Sequence, residues 1–340
     1  MKLSRIPFRL IKNFVGNVLR VRTGNQLMAP YFTTFYLTLR CNYACAFCDD
    51  GTAAQKYPEV EMDELDTEQV KTLLTIIRKR SPSIYFTGGE PFMRQDLIEI
   101  CRYAKQIGFY PVSLNTNGAL IHKKIEVLDY IDNLVVSLPS IVPETYARII
   151  QKKQKYMDLV IQNILTANAM RKKKGFALTA NCVVTGDSLQ DAGRVMSFCF
   201  ENDIHFAIVP ALKGVYPDES LNCIDYRQLI DEVVENKRRG KPVPHSYDYL
   251  NIIKDFKKFK CWPLMTPHVY PDGSLFYPCQ MLKSKIDLLK IGDYDKAIKE
   301  GREKFGDVPD CDNRCHLACY VEPSITTARP SRVLDFARYI

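Results

Sequence analysis

The chain has 340 residues, of which 46% are hydrophobic and 25% charged, and 47 basic against 39 acidic side chains give a net charge of +8. These proportions are those of a folded globular protein, so they exclude a disordered or a fibrous chain. The modest positive charge favours an anionic ligand or surface without requiring nucleic acid, and no apolar run approaches the roughly 20 residues that cross a bilayer.

The first predicted element is an amphipathic helix within residues 1–30. Apolar residues recur at three- and four-residue spacing over residues 4–22, and the basic residues lie mostly on other faces. Such a helix suits the surface of an anionic membrane, and it equally suits packing against the rest of the protein. Because lysine and arginine interrupt its apolar residues, we expect no secretory signal. The sequence therefore predicts a cytoplasmic protein, with peripheral membrane contact as an option.

Strands and helices then alternate along the chain. Runs rich in β-branched and aromatic residues predict strands over residues 31–39, 84–87, 112–115, 133–138, 177–184 and 205–209. Apolar residues at helical spacing predict helices over residues 66–79, 95–107, 123–130, 143–150, 156–174 and 188–202. This alternation predicts parallel βα units, in either an open doubly wound sheet or a partial barrel. Both architectures collect chemistry at the C-terminal ends of the strands.

Directly after the first strand, Cys41, Cys45 and Cys48 form a C-x3-C-x2-C loop. Three thiolates so close in sequence can hold one metal centre. A structural zinc site generally takes four protein ligands, and no fourth cysteine or histidine follows nearby. Three cysteines instead suit a [4Fe-4S] cluster whose fourth iron is open to a small molecule, in contrast to the usual four-cysteine ligation.

With Phe47 just before its last cysteine, this loop resembles the cluster loop of the radical S-adenosylmethionine (SAM) superfamily. After the second strand, Gly88, Gly89 and Glu90 are similar to the GGE motif of the same family. The two glycines, which lack a Cβ, would let the backbone approach the methionine part of SAM. The Glu90 carboxylate or nearby backbone carbonyls would accept bonds from its ammonium group.

Later strand ends extend the resemblance. Asn115, Thr116, Asn117 and Gly118, after the third strand, are similar to the family's T-N-G element near the sulfonium and ribose, and Asn115 and Thr116 are the expected cofactor contacts. Ser137 on the fourth strand matches a serine that contacts ribose or carboxylate, although the Asp-Gly that often follows is absent. Asn181 on the fifth strand would be a further polar contact, and Val209 on the sixth resembles the edge against which adenine stacks. Plain packing at strand ends is the alternative for the last three residues.

The resemblance implies a partial (β/α)6 barrel of the TIM type over residues 31–240. It also implies an enzyme with a [4Fe-4S] cluster and SAM as cofactors and a reducing partner such as flavodoxin or ferredoxin. In that family the reduced cluster cleaves SAM, and the resulting 5′-deoxyadenosyl radical abstracts hydrogen from a carbon or adds to it. The cofactors supply this chemistry, while the protein supplies position and exclusion of water.

A second group of cysteines lies in residues 241–340, after a basic, proline-containing segment over 237–244 that we interpret as a linker. A hairpin predicted around Asp272 and Gly273 would bring two of them together. The group comprises Cys261, Cys279, Cys311, Cys315 and Cys319. It resembles the cysteine-rich SPASM and twitch extensions of radical SAM enzymes. We expect one auxiliary [4Fe-4S] cluster bound by Cys261, Cys279 and two or three of the others, with a zinc ribbon as the alternative.

The substrate stays open at this point. The N-terminal helix and a short similarity of residues 315–323 to enzymes that attach adenosyl groups to hopanoid lipids favour a lipid-like substrate. A small molecule is the other option. A peptide-modifying SPASM maturase is a further alternative, although 30 residues before the first strand are too few for a peptide-binding winged helix. A non-catalytic iron-sulfur or zinc-binding protein would explain the cysteines but not the GGE motif. The sequence identifies no catalytic residue.

Overall fold

The computed structural model describes residues 7–48, 64–309 and 315–332. Six parallel strands form its centre, and each pairs with the next along the chain. They are β1 Phe32–Tyr36, β2 Ser83–Thr87, β3 Val112–Thr116, β4 Asn133–Ser137, β5 Ala177–Val184 and β6 His205–Pro210. All six predicted strands are therefore confirmed, and their ends differ from prediction by three residues at most.

The sequential order β1 to β6 decides between the two predicted architectures. A doubly wound sheet reverses its strand order at a switch point, and no reversal occurs here. Right-handed crossovers between successive neighbours place their helices on one side, and the sheet forms part of a barrel wall. The helices that precede or connect these strands are α1 Phe8–Arg22, α2 Thr67–Arg78, α3 Leu97–Gln106, α4 Pro143–Ile150, α5 Lys155–Lys174 and α6 Leu189–Glu201. The α/β partial barrel is the observed fold.

One predicted helix differs from the structure. Residues 123–130 form two short 3-10 turns, Ile121–Lys123 and Ile125–Asp129, separated by Lys124. The Lys124 backbone leaves the helical region, and its ammonium donates to the carbonyl oxygens of Phe92 and Arg94 at 2.7 and 2.6 Å. A tertiary contact thus overrides the helical periodicity. Other 3-10 turns are Pro91–Met93, Gly186–Ser188, Glu219–Leu221, Pro263–Met265, Gln280–Leu282 and Pro330–Arg332.

The C-terminal part of the chain continues the barrel sheet. The predicted hairpin is present, with Leu275 opposite Val269, and its first strand pairs in parallel with β1. The elements after β6 are β7 Leu212–Lys213, β8 Tyr216–Pro217, α7 Ile224–Arg238, α8 Tyr247–Asp255, β9 His268–Val269, β10 Ser274–Phe276, β11 Lys285–Asp287, α9 Leu288–Ile291, α10 Tyr294–Phe305 and α11 Ala318–Ala328. Part of the predicted linker is helical, because Lys237 belongs to α7 and its ammonium donates to the Val243 carbonyl at 3.0 Å. The domain boundary near residue 240 stays a prediction.

Helices α1 and α11 pack against each other beside the barrel. The buried Asn17 anchors α1, because its side-chain amide donates to the Ala29 carbonyl and accepts from the Ala29 amide, both at 2.8 Å. The outward face of α1 is apolar: Phe8, Ile11, Val15 and Leu19 are 79, 49, 54 and 57% exposed. None of the helices in the described part of the chain is long and apolar enough to cross a membrane.

Candidate functional site

A cavity of about 560 Å³ lies inside the barrel. Six of the nine predicted cofactor-binding residues line it, namely Phe47, Gly88, Asn115, Ser137, Asn181 and Val209. Gly89, Glu90 and Thr116 do not. Ser83 and Ala177, the first residues of β2 and β5, also line the cavity, so it extends along the strands and is larger than the end where the motifs lie.

Strand geometry explains which residues reach the cavity. Successive side chains of a strand point to opposite faces, so Asn115 faces inward while Thr116 is buried in the wall. Ser137 and Asn181 are direct partners in the register of β4 and β5, which places their side chains next to each other. Three polar side chains from neighbouring strands therefore face one apolar cavity.

Asn115 offers a direct indication that the cavity takes a polar ligand. Its amide nitrogen donates to the Thr87 hydroxyl at 3.3 Å. Its amide oxygen is buried and has no hydrogen-bond partner among the described residues. Buried polar atoms without a partner are uncommon and costly. A bound SAM, whose ribose hydroxyls are donors, fits this unsatisfied acceptor.

Gly88 and Gly89 lie against the chain that leads into the cysteine loop. A Cβ on Gly88 would be 2.2 Å from the Thr38 carbonyl oxygen, and one on Gly89 would be 2.3 Å from the Arg40 carbonyl oxygen. Backbone bonds of 2.8 Å join Gly89 N to Thr38 O and Glu90 N to Arg40 O. Glycine is therefore needed at both positions because the backbone here lies directly against the backbone of residues 38–40. That approach fixes the segment immediately before Cys41.

The Glu90 carboxylate is fully buried and already occupied by protein donors. One oxygen accepts from Phe92 N at 3.0 Å and from the Thr116 hydroxyl at 2.8 Å, and the other accepts from Asn117 N at 2.7 Å. Burial raises the pKa of Glu90 to about 7, while these donors oppose that rise. Of the two predicted acceptors for the SAM ammonium group, the geometry favours nearby backbone carbonyls over this carboxylate. Glu90 instead braces the ends of β2 and β3.

Asn117 connects that brace to the cysteine loop. Its side-chain nitrogen donates to the Asn42 side-chain oxygen at 2.7 Å and lies 3.9 Å from the Cys41 sulfur. Asn117 belongs to the predicted T-N-G element, but the sequence did not predict this contact, because Asn-Gly is also a favoured turn and the contact depends on the distant Glu90. The T-N-G element was the available signal. Glu90, Asn117 and the loop thus form one hydrogen-bonded unit.

Backbone hydrogen bonds hold the cysteine loop in place. Backbone bonds from Ala44 N to Ile150 O and from Ala46 N to Ile149 O tie the loop to the end of α4. Burial raises the pKa of the Cys41 thiol to about 11 and that of Cys45 to about 12, and the Cys41 charge contributes to the second shift. Metal binding deprotonates such thiols. Cys48 lines the cavity, so the donor set opens towards the predicted SAM residues.

Three cysteines of the second group, Cys279, Cys315 and Cys319, lie near the start of α11. Burial, with Cys315 and Cys279 nearby, raises the pKa of Cys319, and Cys319 also lines the cavity. Trp262, which follows Cys261, donates from its backbone to the Ser324 hydroxyl of α11 at 3.1 Å. Cys311 lies outside the described residues. Cys279 and Cys315 therefore lie near Cys319 at the start of α11, and the segment that carries Cys261 contacts the same helix further along.

Among the described residues, no three Cys, His, Asp or Glu side chains converge closely enough to hold a single metal ion. A [4Fe-4S] cubane binds its thiolates on different irons. Its ligands therefore stand further apart than the four around one zinc ion. The three loop cysteines are compatible with a [4Fe-4S] cluster, which is larger than a single metal ion.

Comparison with known proteins identifies the family of this chain. The family model described as "Radical SAM superfamily" matches residues 35–199, which include the end of β1, the cysteine loop and strands β2 to β5. The chain is 32% identical over 141 residues to a GTP 3′,8-cyclase of Limosilactobacillus fermentum, covering 41% of this chain and 42% of that protein. It is 32% identical over 216 residues to an Fe-coproporphyrin III synthase of Methanosarcina barkeri, covering 60% of this chain and 50% of that protein. The matches thus span half or less of these relatives.

Solved structures share the fold at low sequence identity. Streptococcus suis SuiB bound to the precursor peptide SuiA has a TM-score of 0.61 and 17% identity, covering 87% of this chain and 72% of that one. The enzyme anSMEcpe with bound AdoMet has a TM-score of 0.57 and 19% identity, covering 91% of this chain and 98% of that one. These neighbours support the fold alone.

Proposed function

This chain belongs to the radical SAM superfamily, whose enzymes use a [4Fe-4S] cluster and SAM, and on that premise we propose that it modifies an unactivated carbon of a lipid-like substrate. This proposal rests on one cavity, which Cys48 and the SAM motifs border at the strand ends and which also reaches apolar residues such as Leu10 and Phe32. The end of the cavity with Cys48 and the polar motif residues suits the cluster and SAM. The apolar part suits an apolar substrate bound beside SAM.

In this proposal Cys41, Cys45 and Cys48 hold the cluster. When bound and reduced, cluster and SAM together supply a 5′-deoxyadenosyl radical. The chain's own part is to bind and orient. Asn115, with its unsatisfied amide oxygen, is proposed to bind the SAM ribose. The other proposed contacts to SAM come from Phe47, Gly88, Ser137, Asn181 and Val209, while Gly89, Glu90 and Thr116 support the wall behind them. A flavodoxin or ferredoxin would supply the electron.

We also propose an auxiliary [4Fe-4S] cluster at the start of α11. Its ligands would be Cys261, Cys279, Cys315 and Cys319, with Cys311 as an alternative ligand. Protein purified without oxygen should then contain about eight irons and eight sulfides per chain, since each cubane contributes about four of each. A count of about four irons with one zinc would contradict the auxiliary cluster and favour the zinc ribbon.

Helix α1 supports a lipid-like substrate because it connects the cavity to an exposed apolar surface. Leu10 lines the cavity, while Phe8, Ile11, Val15 and Leu19 point outward. Exposed Lys12 and Arg22 add positive charge at the same helix. An apolar face with basic neighbours is typical of helices that lie in the interface of an anionic membrane. We propose that α1 seats the enzyme there.

Vesicle sedimentation tests this membrane contact. Leu19→Glu should weaken binding to phosphatidylcholine vesicles with one-third phosphatidylglycerol by about tenfold or more, since burying one leucine contributes about 1.5–3 kcal/mol. Leu165→Glu is the matched control, because Leu165 is a similarly exposed leucine on α5, at 39% exposure. Equal vesicle binding by the two variants would contradict the proposed membrane face.

The activity is tested by measuring 5′-deoxyadenosine from the reduced, anaerobic enzyme with SAM. Three additions are compared: a membrane lipid extract, an aqueous small-metabolite extract and a peptide fraction. We expect the lipid extract to accelerate 5′-deoxyadenosine formation most. Acceleration by the aqueous or peptide fraction alone would contradict the substrate class. No 5′-deoxyadenosine under any condition would contradict the enzymatic function itself.

A further inference from the structure

A histidine and a glutamate form a buried pair in the cavity wall, on segments that carry none of the SAM motifs. Glu322 lies on α11, and His245 lies just before α8. Both line the cavity, and each side chain is 10% exposed. The SAM motifs belong to the ends of β2 to β6, whereas Glu322 belongs to α11 and His245 to the segment that leads into α8, and these two helices pack together.

The pair is held in place from one side. One Glu322 carboxylate oxygen, Oε1, accepts from Ser246 N at 2.9 Å and faces His245 Nδ1 at 3.3 Å. The His245 ring stacks on Tyr249 with the ring centroids 4.3 Å apart, and the Tyr249 hydroxyl donates to the Ile208 carbonyl of β6 at 3.2 Å. Both side chains are therefore oriented before any ligand arrives.

Two polar atoms of the pair have no hydrogen-bond partner among the described residues. They are Glu322 Oε2 and His245 Nε2, and both are buried. A buried polar atom of this kind is costly unless a ligand or water satisfies it. Because the two residues line the cavity, a molecule bound there is in a position to satisfy both atoms.

The protonation pattern specifies the ligand. An ionised carboxylate accepts hydrogen bonds and donates none, so the contact with Oε1 requires the proton on His245 Nδ1. We take this as the only proton that the pair shares, which leaves a lone pair on Nε2, so both unsatisfied atoms are acceptors and the pair keeps the negative charge of Glu322. A protonated primary amine brings several N–H donors and the compensating positive charge, whereas a hydroxyl brings one donor and no charge.

We propose that His245 and Glu322 bind a protonated amine of the substrate, whose apolar part occupies the cavity. This inference deepens the proposed function, since it takes the cavity as the substrate site, and it makes the substrate an amine with an apolar body. His245 and Glu322 would position this substrate beside SAM without taking part in the bond changes.

Titration calorimetry on the anaerobic, SAM-loaded holoenzyme tests the proposal with hexylamine, hexan-1-ol and hexanoate, which share one apolar chain. Hexylamine should bind at least about tenfold more tightly than the other two, because it alone pairs with a buried carboxylate. Equal affinities, or tighter binding of hexan-1-ol, would overturn the proposal. This comparison uses the wild-type protein and therefore does not depend on how a variant folds.

Glu322→Gln adds a second arm. It should weaken hexylamine binding by about tenfold or more and change SAM affinity by less than about twofold. Glu300→Gln, the same change at an exposed position of α10, should alter neither affinity. A tenfold loss of SAM affinity in Glu322→Gln would assign the pair to the cofactor's adenine amine and overturn the proposal.

Formation of 5′-deoxyadenosine in the same preparations separates the two hypotheses. SAM cleavage without a preference for hexylamine would overturn the amine site and leave the proposed function standing. A preference for hexylamine without SAM cleavage would overturn the proposed function and leave the amine site standing.

Discussion

Replacing Cys45 with alanine is expected to abolish 5′-deoxyadenosine formation. Cys45 is one of three thiols in the loop that α4 holds in place, and no described group replaces it. Loss of residues that merely support a metal ligand costs about 10- to 100-fold in affinity or activity. Loss of a ligand itself should therefore reduce SAM cleavage by more than about 100-fold. The same variant should lose the iron bound at the loop.

Cys199→Ala is the matched control for that experiment. Cys199 is fully buried in α6 and does not line the cavity, so its replacement should cost about 1 kcal/mol of stability through lost packing. Its iron content and SAM cleavage should match those of the wild-type protein. Wild-type cleavage by Cys45→Ala, or an equal loss in both variants, would contradict the assignment of the loop as the cluster site.

Replacing Gly89 with alanine should have one of the largest effects of any change outside the cysteines. The added Cβ would lie 2.3 and 2.6 Å from the carbonyl oxygens of Arg40 and Leu39, and these backbone atoms cannot move without displacing the cysteine loop. We expect the free energy of unfolding to fall by about 3 kcal/mol. SAM cleavage should fall by about 100-fold, because reacting groups tolerate little misplacement.

Gly193→Ala provides the comparison for that variant. Gly193 lies within α6, and nothing stands within 4 Å of its Cβ position. The substitution should raise the free energy of unfolding by about 0.5–1 kcal/mol through helix propensity and leave SAM cleavage unchanged. Chemical unfolding and the 5′-deoxyadenosine assay measure both quantities. Two glycine variants with the same stability and activity would refute the role of the close backbone approach.

Local patterns were sufficient to predict the barrel strands because each strand is short, apolar and bounded by polar turns. The spacing of Cys41, Cys45 and Cys48 was equally informative, since all three ligands come from one loop. The position of Gly88 and Gly89 directly after the second predicted strand was also sufficient to predict the GGE motif. In each case the required information lies within about ten residues of chain.

Contacts between distant segments could not be predicted in the same way. The turns around Lys124 replace a helix because its ammonium binds carbonyls about 30 residues earlier. Glu90 and Asn117 meet across two strand ends. The parallel pairing of β9 with β1, which joins the C-terminal hairpin to the barrel sheet, is likewise a long-range contact.

His245 and Glu322 show the same limit at the site. They are 77 residues apart and share no motif. They are close because α11 packs against α8. The sequence around either residue does not predict this packing. Their unsatisfied atoms become apparent when the hydrogen bonds around the cavity are accounted for one by one.

The central claim is that the loop cluster leaves one iron open and binds SAM there. Electron paramagnetic resonance of the reduced, anaerobic protein tests this directly, in a Cys319→Ala background that removes a proposed auxiliary ligand. Adding SAM should change the spectrum of the loop cluster, and the change should disappear in Cys45→Ala. A spectrum that stays the same when SAM is added would contradict the account.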